Sequence, residues 1–266
     1  MKTEKKQKIK AGIVQMDVRL SDIEANLSIA VEKLRILGSK GVDLVVLPEL
    51  WSCGFDHDRL VSHSHKTPEI IAALSTEAAR LNMIIAGSLP ELSENNLFNT
   101  LYVIDKDGSI AGEYRKIHLF SLNNEDTYFC AGSRAVVCET SAGLLGLMIC
   151  YDVRFPELCR TLALKKAQVV IVSAQWPKVR IEHWNVLLRA RAIENQMYMV
   201  AANSCGSDGN QEYGGCSQIV SPQGDLLFKA KDAACAMSAV LDFNEVEKFR
   251  KQIPCLHERS PEAYVS

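Results

Sequence analysis

Short apolar segments alternate with amphipathic ones in two similar halves of this chain, and that repetition limits the possible folds more than any other feature. Each half predicts strand–helix–strand–helix–strand and then a hairpin, with turns at 106–109 and 221–225 that contain glycine. A sheet that carries helices on one face must cover its other face, and two such sheets do so by packing together. The sequence therefore predicts an α/β fold, a four-layer α-β-β-α sandwich of two mixed sheets.

The boundaries follow from hydrophobic periodicity and from glycine and proline positions. We predict helices at 22–37, 68–81, 155–165, 181–195 and 244–251. We predict strands at 9–16, 43–48, 83–87, 101–105, 110–114, 135–139, 144–149, 168–173, 197–203, 217–220, 226–229 and 234–241. No linker rich in Pro, Gly or Ser interrupts this order, so we expect a single domain over 1–266, with a flexible tail at about 1–8.

Composition excludes several classes of function. The net charge of −2 gives no global basic field for nucleic acid or an anionic membrane. No apolar run reaches the ~18 residues of a spanning helix, and no signal peptide is visible, so we expect a cytoplasmic protein. The nine cysteines are then expected to be free thiols, and none has zinc-type spacing with another cysteine or a histidine. We therefore expect no metal.

Cys150 is the strongest candidate for chemistry. It follows the apolar segment Gly146–Ile149, and Pro156 is a residue typical of a helix's first turn. A thiol on such a strand-to-helix turn points out of the sheet, and we expect the helix N–H groups to favour its thiolate. The competing interpretation is a small buried hydrophobic residue, which is the commoner role of a cysteine near a strand end.

Three further charged residues have a functional and a structural interpretation each. Glu49 ends the second predicted strand beside Trp51, where a partly desolvated carboxylate suits a general base. Lys116 lies between apolar residues, where a fixed cation can stabilise an oxyanion. Glu125 lies in a polar loop, from which a second carboxylate can hold the lysine. Taken singly, each is more often a helix cap or a surface charge.

The three motifs together, in this order, resemble the nitrilase (carbon–nitrogen hydrolase) superfamily. They are Leu47-Pro48-Glu49, the segment 114–120 (Tyr-Arg-Lys-Ile-His-Leu-Phe) and the segment 150–157 (Cys-Tyr-Asp-Val-Arg-Phe-Pro-Glu). The resemblance also includes 98–100, 174–177 and 189–195. The Tyr151-Asp152 pair after the cysteine is similar to the amidase branch that contains the omega-amidases.

The resemblance implies a Glu49–Lys116–Cys150 catalytic triad, with Glu125 as the second family glutamate. It also implies an α-β-β-α fold, a homodimer or higher homo-oligomer, and a small amide substrate such as 2-oxoglutaramate or 2-oxosuccinamate. No cofactor is expected. In this mechanism Glu49 takes the thiol proton, a thioester forms on Cys150, and Lys116 and the N–H of Tyr151 bind the oxyanion.

For the far end of the substrate, charge and proximity to the motifs indicate Arg154 and Lys178, with Trp176 and Phe120 as pocket walls. Each has an equally good structural interpretation. Three other functions stay open at this point. They are hydrolysis of another C–N substrate (an N-carbamoyl compound, deaminated glutathione or a nitrile), a catalytically idle binding protein, and a redox-sensing thiol protein.

Overall fold

Two six-stranded mixed sheets pack face to face, and helices cover the outer face of each. The computed structural model describes residues 7–264. The predicted four-layer α-β-β-α architecture is confirmed by this arrangement. No helix within the described range is long and apolar enough to cross a membrane.

Every strand and helix predicted from the sequence is present, most within one or two residues of the expected ends. The α-helices are α1 Ile23–Gly38, α2 Leu60–Ser64, α3 Thr67–Leu81, α4 Glu125–Tyr128, α5 Pro156–Leu164, α6 Ile181–Asn195 and α7 Phe243–Gln252. The strands are β1 Lys8–Gln15, β2 Leu44–Val46, β3 Ile84–Ser93, β4 Asn96–Ile104, β5 Ile110–Arg115, β6 Val137–Thr140, β7 Gly143–Ile149, β8 Val169–Ala174, β9 Tyr198–Asn203, β10 Cys205–Ser207, β11 Glu212–Gly214, β12 Gln218–Val220, β13 Leu226–Lys229 and β14 Cys235–Asp242.

Each large sheet has three neighbouring parallel strands at its centre. The first sheet has the order β14-β1-β2-β3-β4-β5, and the second has the order β13-β12-β9-β8-β7-β6. Strands β1, β2 and β3 are mutually parallel, as are β7, β8 and β9. The last strand, β14, pairs antiparallel with β1 and so brings the end of the chain back to the first sheet.

The largest core cluster lies between the two sheets and continues under α5 and α6. Leu44 and Leu101 from the first sheet meet Leu147 and Val172 from the second in this cluster. A second cluster joins α1 and α3 to the outer face of the first sheet. Full burial of one such aliphatic side chain stabilises the fold by about 1.5–3 kcal/mol, so these two clusters hold the four layers together.

Four short elements are present that the sequence did not predict, namely α2, α4, β10 and β11. Strands β10 and β11 pair with each other as a separate small hairpin. Short elements such as these bury too few residues to show a clear periodicity. The expected tail at about 1–8 is wrong at Lys8, which already pairs with Asp242 in the β1–β14 ladder. Residues 1–6 of that expected tail lie outside the described residues.

Gly132 allows the chain to pass close to the end of β5, and we predict that Gly132→Ala destabilises the fold strongly. Its N–H donates to the carbonyl of Lys116 at 2.8 Å, and a Cβ at this position lies 2.1 Å from the carbonyl oxygen of Arg115. Relieving this clash requires a backbone shift, which we expect to lower the free energy of unfolding by about 3 kcal/mol or more.

Gly41→Ala is the control for this prediction. Gly41 has φ +68°, and its Cβ meets nothing within 4 Å, so only the left-handed conformation is penalised there. Urea unfolding of both variants measures the difference. A loss at Gly132 no larger than the loss at Gly41 contradicts the close approach.

Candidate active site

The structure brings Glu49, Lys116 and Cys150 to one buried site from three different strands. Glu49 comes three residues after β2, Lys116 directly follows β5, and Cys150 directly follows β7. Glu49 and Lys116 are 0% and 1% exposed, and Cys150 is 8% exposed. Because β2 and β5 belong to the first sheet and β7 to the second, the site exists only when the two sheets are packed.

A single ammonium group links two carboxylates at the centre of the site. The Nζ atom of Lys116 lies 2.8 Å from Oε1 of Glu49, and 2.9 and 2.6 Å from the two carboxylate oxygens of Glu125. Glu125 belongs to the short helix α4 and is 2% exposed, so the expectation that it lies in a polar loop is wrong. The N–H of Phe120 donates to Glu125 at 3.2 Å and helps to orient the carboxylate.

Two amide side chains fix Glu49. The Nδ2 group of Asn99 donates to Oε1 of Glu49 at 2.8 Å, and the backbone N–H of Gln175 donates to Oε2 at 3.0 Å. The side chain of Gln175 also donates to the Glu49 carbonyl at 2.7 Å. The Glu49 carboxylate therefore accepts from Asn99, Gln175 and Lys116 at once, which gives it one orientation.

Cys150 occupies a strained turn. Its φ of +43° lies in the left-handed region, which residues other than glycine adopt only rarely. Residues Cys150–Arg154 form a 3₁₀ turn, and α5 begins only at Pro156. The turn predicted from the sequence is present, and α5 starts at Pro156, one residue from its predicted beginning at 155 and six residues after the cysteine.

The electrostatic surroundings hold Cys150 as a thiol. Burial is the largest influence and, with the charge of Glu49, raises the pKa of the thiol well above its ordinary value against the opposing Lys116 ammonium. The expectation that helix N–H groups favour the thiolate is therefore wrong. The physical reason is that the helix begins too late, whereas a buried carboxylate adjoins the sulfur.

The pKa values of Lys116 and Glu125 are raised, like that of the Cys150 thiol. Burial is the strongest single influence on the Lys116 pKa and lowers it, but the charges of Glu125, Glu49 and Cys150 together outweigh burial and raise that pKa. Lys116 therefore stays protonated at neutral pH. Burial raises the pKa of Glu125 above its ordinary value, although the Lys116 charge opposes this shift.

A pocket opens above Cys150. Four of the five residues that the sequence indicated for substrate binding line it, namely Phe120, Tyr151, Arg154 and Trp176. Lys178 does not line this pocket. Its side chain is 56% exposed, and its ammonium lies 2.9 Å from the Glu212 carboxylate.

Several further residues of the site were missed from the sequence. They include Asn99 and Gln175 beside Glu49, and the pocket-lining residues Phe55, Arg180, Gln211 and Tyr213. Asn99 and Gln175 lie in segments that carry the family resemblance, which was the available signal for them. The β10–β11 hairpin positions Tyr213, and no sequence pattern places that hairpin beside Cys150.

A family comparison agrees with this geometry. A sequence profile described as "Carbon-nitrogen hydrolase" matches residues 10–251. The chain belongs to the carbon–nitrogen hydrolase family. The match covers most of the described fold and includes Glu49, Lys116, Glu125 and Cys150. The resemblance to this superfamily is therefore confirmed.

Individual relatives of this carbon–nitrogen hydrolase cover most of the chain. A "Hydrolase in agr operon" from Staphylococcus aureus is 36% identical over 250 residues, which is 92% of this chain and 96% of the relative. A "2-oxoglutaramate amidase" from Bacillus subtilis (strain 168) is 37% identical over 228 residues, or 85% and 88% of the two chains. The crystal structure of a carbon–nitrogen hydrolase from Helicobacter pylori G27 superimposes with a TM-score of 0.91 at 28% identity, over 97% of each chain.

Because the Glu49 charge raises the Cys150 pKa, we predict that Glu49→Gln lowers it. The ammonium of Lys116 then acts on the sulfur with less opposition. The thiolate absorbance near 240 nm, followed against pH and corrected with a Cys150→Ala background, measures this shift. Glu77→Gln is the control, since Glu77 pairs with Arg35 and Arg80 away from the site. A Cys150 pKa that stays unchanged or rises in Glu49→Gln contradicts this electrostatic account.

Proposed function

We propose that this chain is an amidase that hydrolyses the terminal amide of a small carboxylate-bearing substrate, with 2-oxoglutaramate and 2-oxosuccinamate favoured. The convergence of Glu49, Lys116 and Glu125 on the buried Cys150 thiol is the observation that carries this proposal. The similarity to a 2-oxoglutaramate amidase over 85% of the chain supports the choice of substrate class.

The proposed reaction proceeds through a thioester. Glu49 accepts the proton of the Cys150 thiol as the sulfur attacks the amide carbon, and it gives that proton to the departing ammonia. Water then enters, Glu49 takes one of its protons, and the resulting hydroxide attacks the thioester carbon. The carbon–sulfur bond breaks, the sulfur recovers the proton, and the carboxylic acid leaves.

Lys116 supplies the positive charge in both steps. Its ammonium and the N–H of Tyr151 bind the oxyanion that forms on the amide oxygen. Glu125 holds this ammonium through two short contacts, which helps to fix its position. Loss of one oxyanion donor typically lowers kcat by about 10²–10³, so Lys116 is a large part of the proposed rate enhancement.

Two arginines in the pocket favour an anionic substrate. Arg154 and Arg180 both line the pocket with Cys150, and no ion pair joins either guanidinium to a carboxylate within residues 7–264. Burial is the main cause that lowers the pKa of Arg154, and the nearby Arg180 charge adds to it. Two partly buried positive charges repel each other, which is unfavourable. The carboxylate of an ω-amide acid offsets this cost by pairing with both guanidinium groups.

Ammonia release across a substrate panel tests the proposal. We expect turnover of 2-oxoglutaramate and 2-oxosuccinamate, and at least about tenfold lower kcat/KM for amides of equal length without the carboxylate, as expected for loss of a charge-assisted contact. Cys150→Ala should abolish turnover and keep the fold, because it removes one small sulfur group. The proposal is contradicted if the only good substrate is an N-carbamoyl compound, deaminated glutathione or a nitrile. It is also contradicted if Cys150→Ala folds and keeps normal activity.

The arginines give a second prediction. Arg154→Met and Arg180→Met should each lower kcat/KM for carboxylate-bearing amides by about 10- to 100-fold, since each removes a charge-assisted contact, and should affect neutral amides little. Lys178→Met serves as the comparison, because Lys178 was the sequence candidate for the same role. A larger effect at Lys178 than at both arginines overturns this assignment of the carboxylate site.

A further inference from the structure

Asp152 is a buried carboxylate, two residues after Cys150, that the proposed reaction does not use. It is fully buried and accepts four hydrogen bonds. Its Oδ2 atom accepts from the N–H of Ile149 at 2.9 Å and from the hydroxyl of Tyr114 at 2.7 Å. Its Oδ1 atom lies 3.2 Å from the N–H of His118 and 2.7 Å from Nδ1 of the same residue. We call Asp152, Tyr114, His118 and Ile149 the Asp152 network.

The partners of Asp152 flank both reactive groups. Ile149 is the last residue of β7 and directly precedes Cys150, whereas Tyr114 and His118 lie two residues before and two residues after Lys116. Strand β7 belongs to the second sheet, and β5, which carries Tyr114, belongs to the first. One carboxylate therefore ties the strand that holds the nucleophile to the segment that holds the ammonium, across the interface between the sheets.

The network also closes the strained turn at Cys150. The bond from the Ile149 N–H to the Asp152 side chain spans the residue with φ +43°. Burial and the adjacent Asp152 charge raise the pKa of Tyr114 far above its ordinary value, so its phenol stays protonated and keeps donating. A left-handed conformation of this kind persists only when its surroundings impose it.

The same network reaches the wall of the pocket. The His118 ring is stacked on Phe155 at 3.6 Å between centroids, and Phe155 meets Tyr151 edge-on at 5.2 Å. Tyr151 in turn contacts Phe120, and both line the pocket. The orientation of His118 therefore affects the aromatic side of the site.

We propose that Asp152 is a positioning residue that fixes the Cys150 thiol relative to the Lys116 ammonium by accepting hydrogen bonds from the segments that carry both. Its effect on turnover rests on the proposed amidase function. Its effect on the geometry of the thiol does not, because that geometry is measurable by chemical modification without a substrate.

Tyr114→Phe is the sharpest variant for this test. It removes one hydroxyl of the network, changes no charge and keeps the buried ring. The chain offers a matched control in Tyr198→Phe. The Tyr114 hydroxyl donates to Asp152 and also accepts from the N–H of Ile117 at 3.2 Å. The Tyr198 hydroxyl, in a buried residue of β9, donates to the carboxylate of Glu245 and accepts from the N–H of Asp242. Neither Glu245 nor Asp242 lines the pocket above Cys150.

We expect Tyr114→Phe to slow turnover and to speed the alkylation of Cys150. The value of kcat should fall by about 10- to 100-fold with a nearly unchanged KM, as for outer partners that orient reactive groups. Alkylation of Cys150 by iodoacetamide at pH 8 should become faster, because the turn relaxes and exposes the thiol. Peptide mapping assigns the alkylated cysteine. Tyr198→Phe should lower the unfolding temperature by a similar amount and change neither rate.

Two results overturn the proposal. One is a Tyr114→Phe protein with wild-type kcat and wild-type alkylation of Cys150. The other is the same pair of changes in Tyr198→Phe, which makes them general effects of stability. If no amide is turned over by the wild-type protein, the proposed function fails, and the alkylation rates alone still decide the role of Asp152. If Tyr114→Phe does not fold, His118→Phe replaces it, since it removes the Nδ1 contact and keeps a ring against Phe155.

Discussion

The buried ammonium of Lys116, shared by Glu49 and Glu125, is the interaction on which the site depends. Removing a charge from water costs several kcal/mol, and this cost is offset only by short contacts with opposite charges and by further hydrogen bonds. The structure supplies both, with contacts of 2.6–2.9 Å to the two carboxylates. With both carboxylates ionised, the cluster carries a net charge of −1. That excess disfavours a further negative charge on Cys150 and keeps its thiol protonated.

The fold is what makes this cluster possible. Its members come from the ends of β2, β5 and β7 and from the short helix α4, so no single element can assemble it. Hydrogen bonds between side chains and backbone link the two sheets and keep those ends in place. The hydroxyl of Ser173 on β8 donates to the carbonyl of Leu47, and the N–H of Gln175 reaches Glu49. The geometry of the site therefore depends on the packing of the two sheets, and a change that disrupts the sheet interface both destabilises the sandwich and distorts the site.

The predictable part of this molecule is the part with a strong local pattern. Helix α6 has the same ends in sequence and structure, since Gln196 takes the left-handed conformation that ends it. Periodicity cannot indicate that β14 returns to the first sheet, because pairing between distant strands leaves no local trace. It likewise cannot show that Glu125 is buried, because α4 is only four residues long. Arg180 was missed for a related reason, because its place in the pocket depends on how α6 packs against the turn at Cys150–Arg154.

The most direct measurement of the central claim is the site of acyl transfer. Wild-type protein is mixed with a slow amide substrate, quenched in acid, and its mass and peptides are determined. We predict an added mass equal to the substrate minus ammonia, located on the Cys150 peptide and released in neutral hydroxylamine as expected for a thioester. Turnover with no adduct on Cys150, or an adduct on another cysteine, contradicts the claim that the acyl group is transferred to Cys150 beside the buried charge cluster.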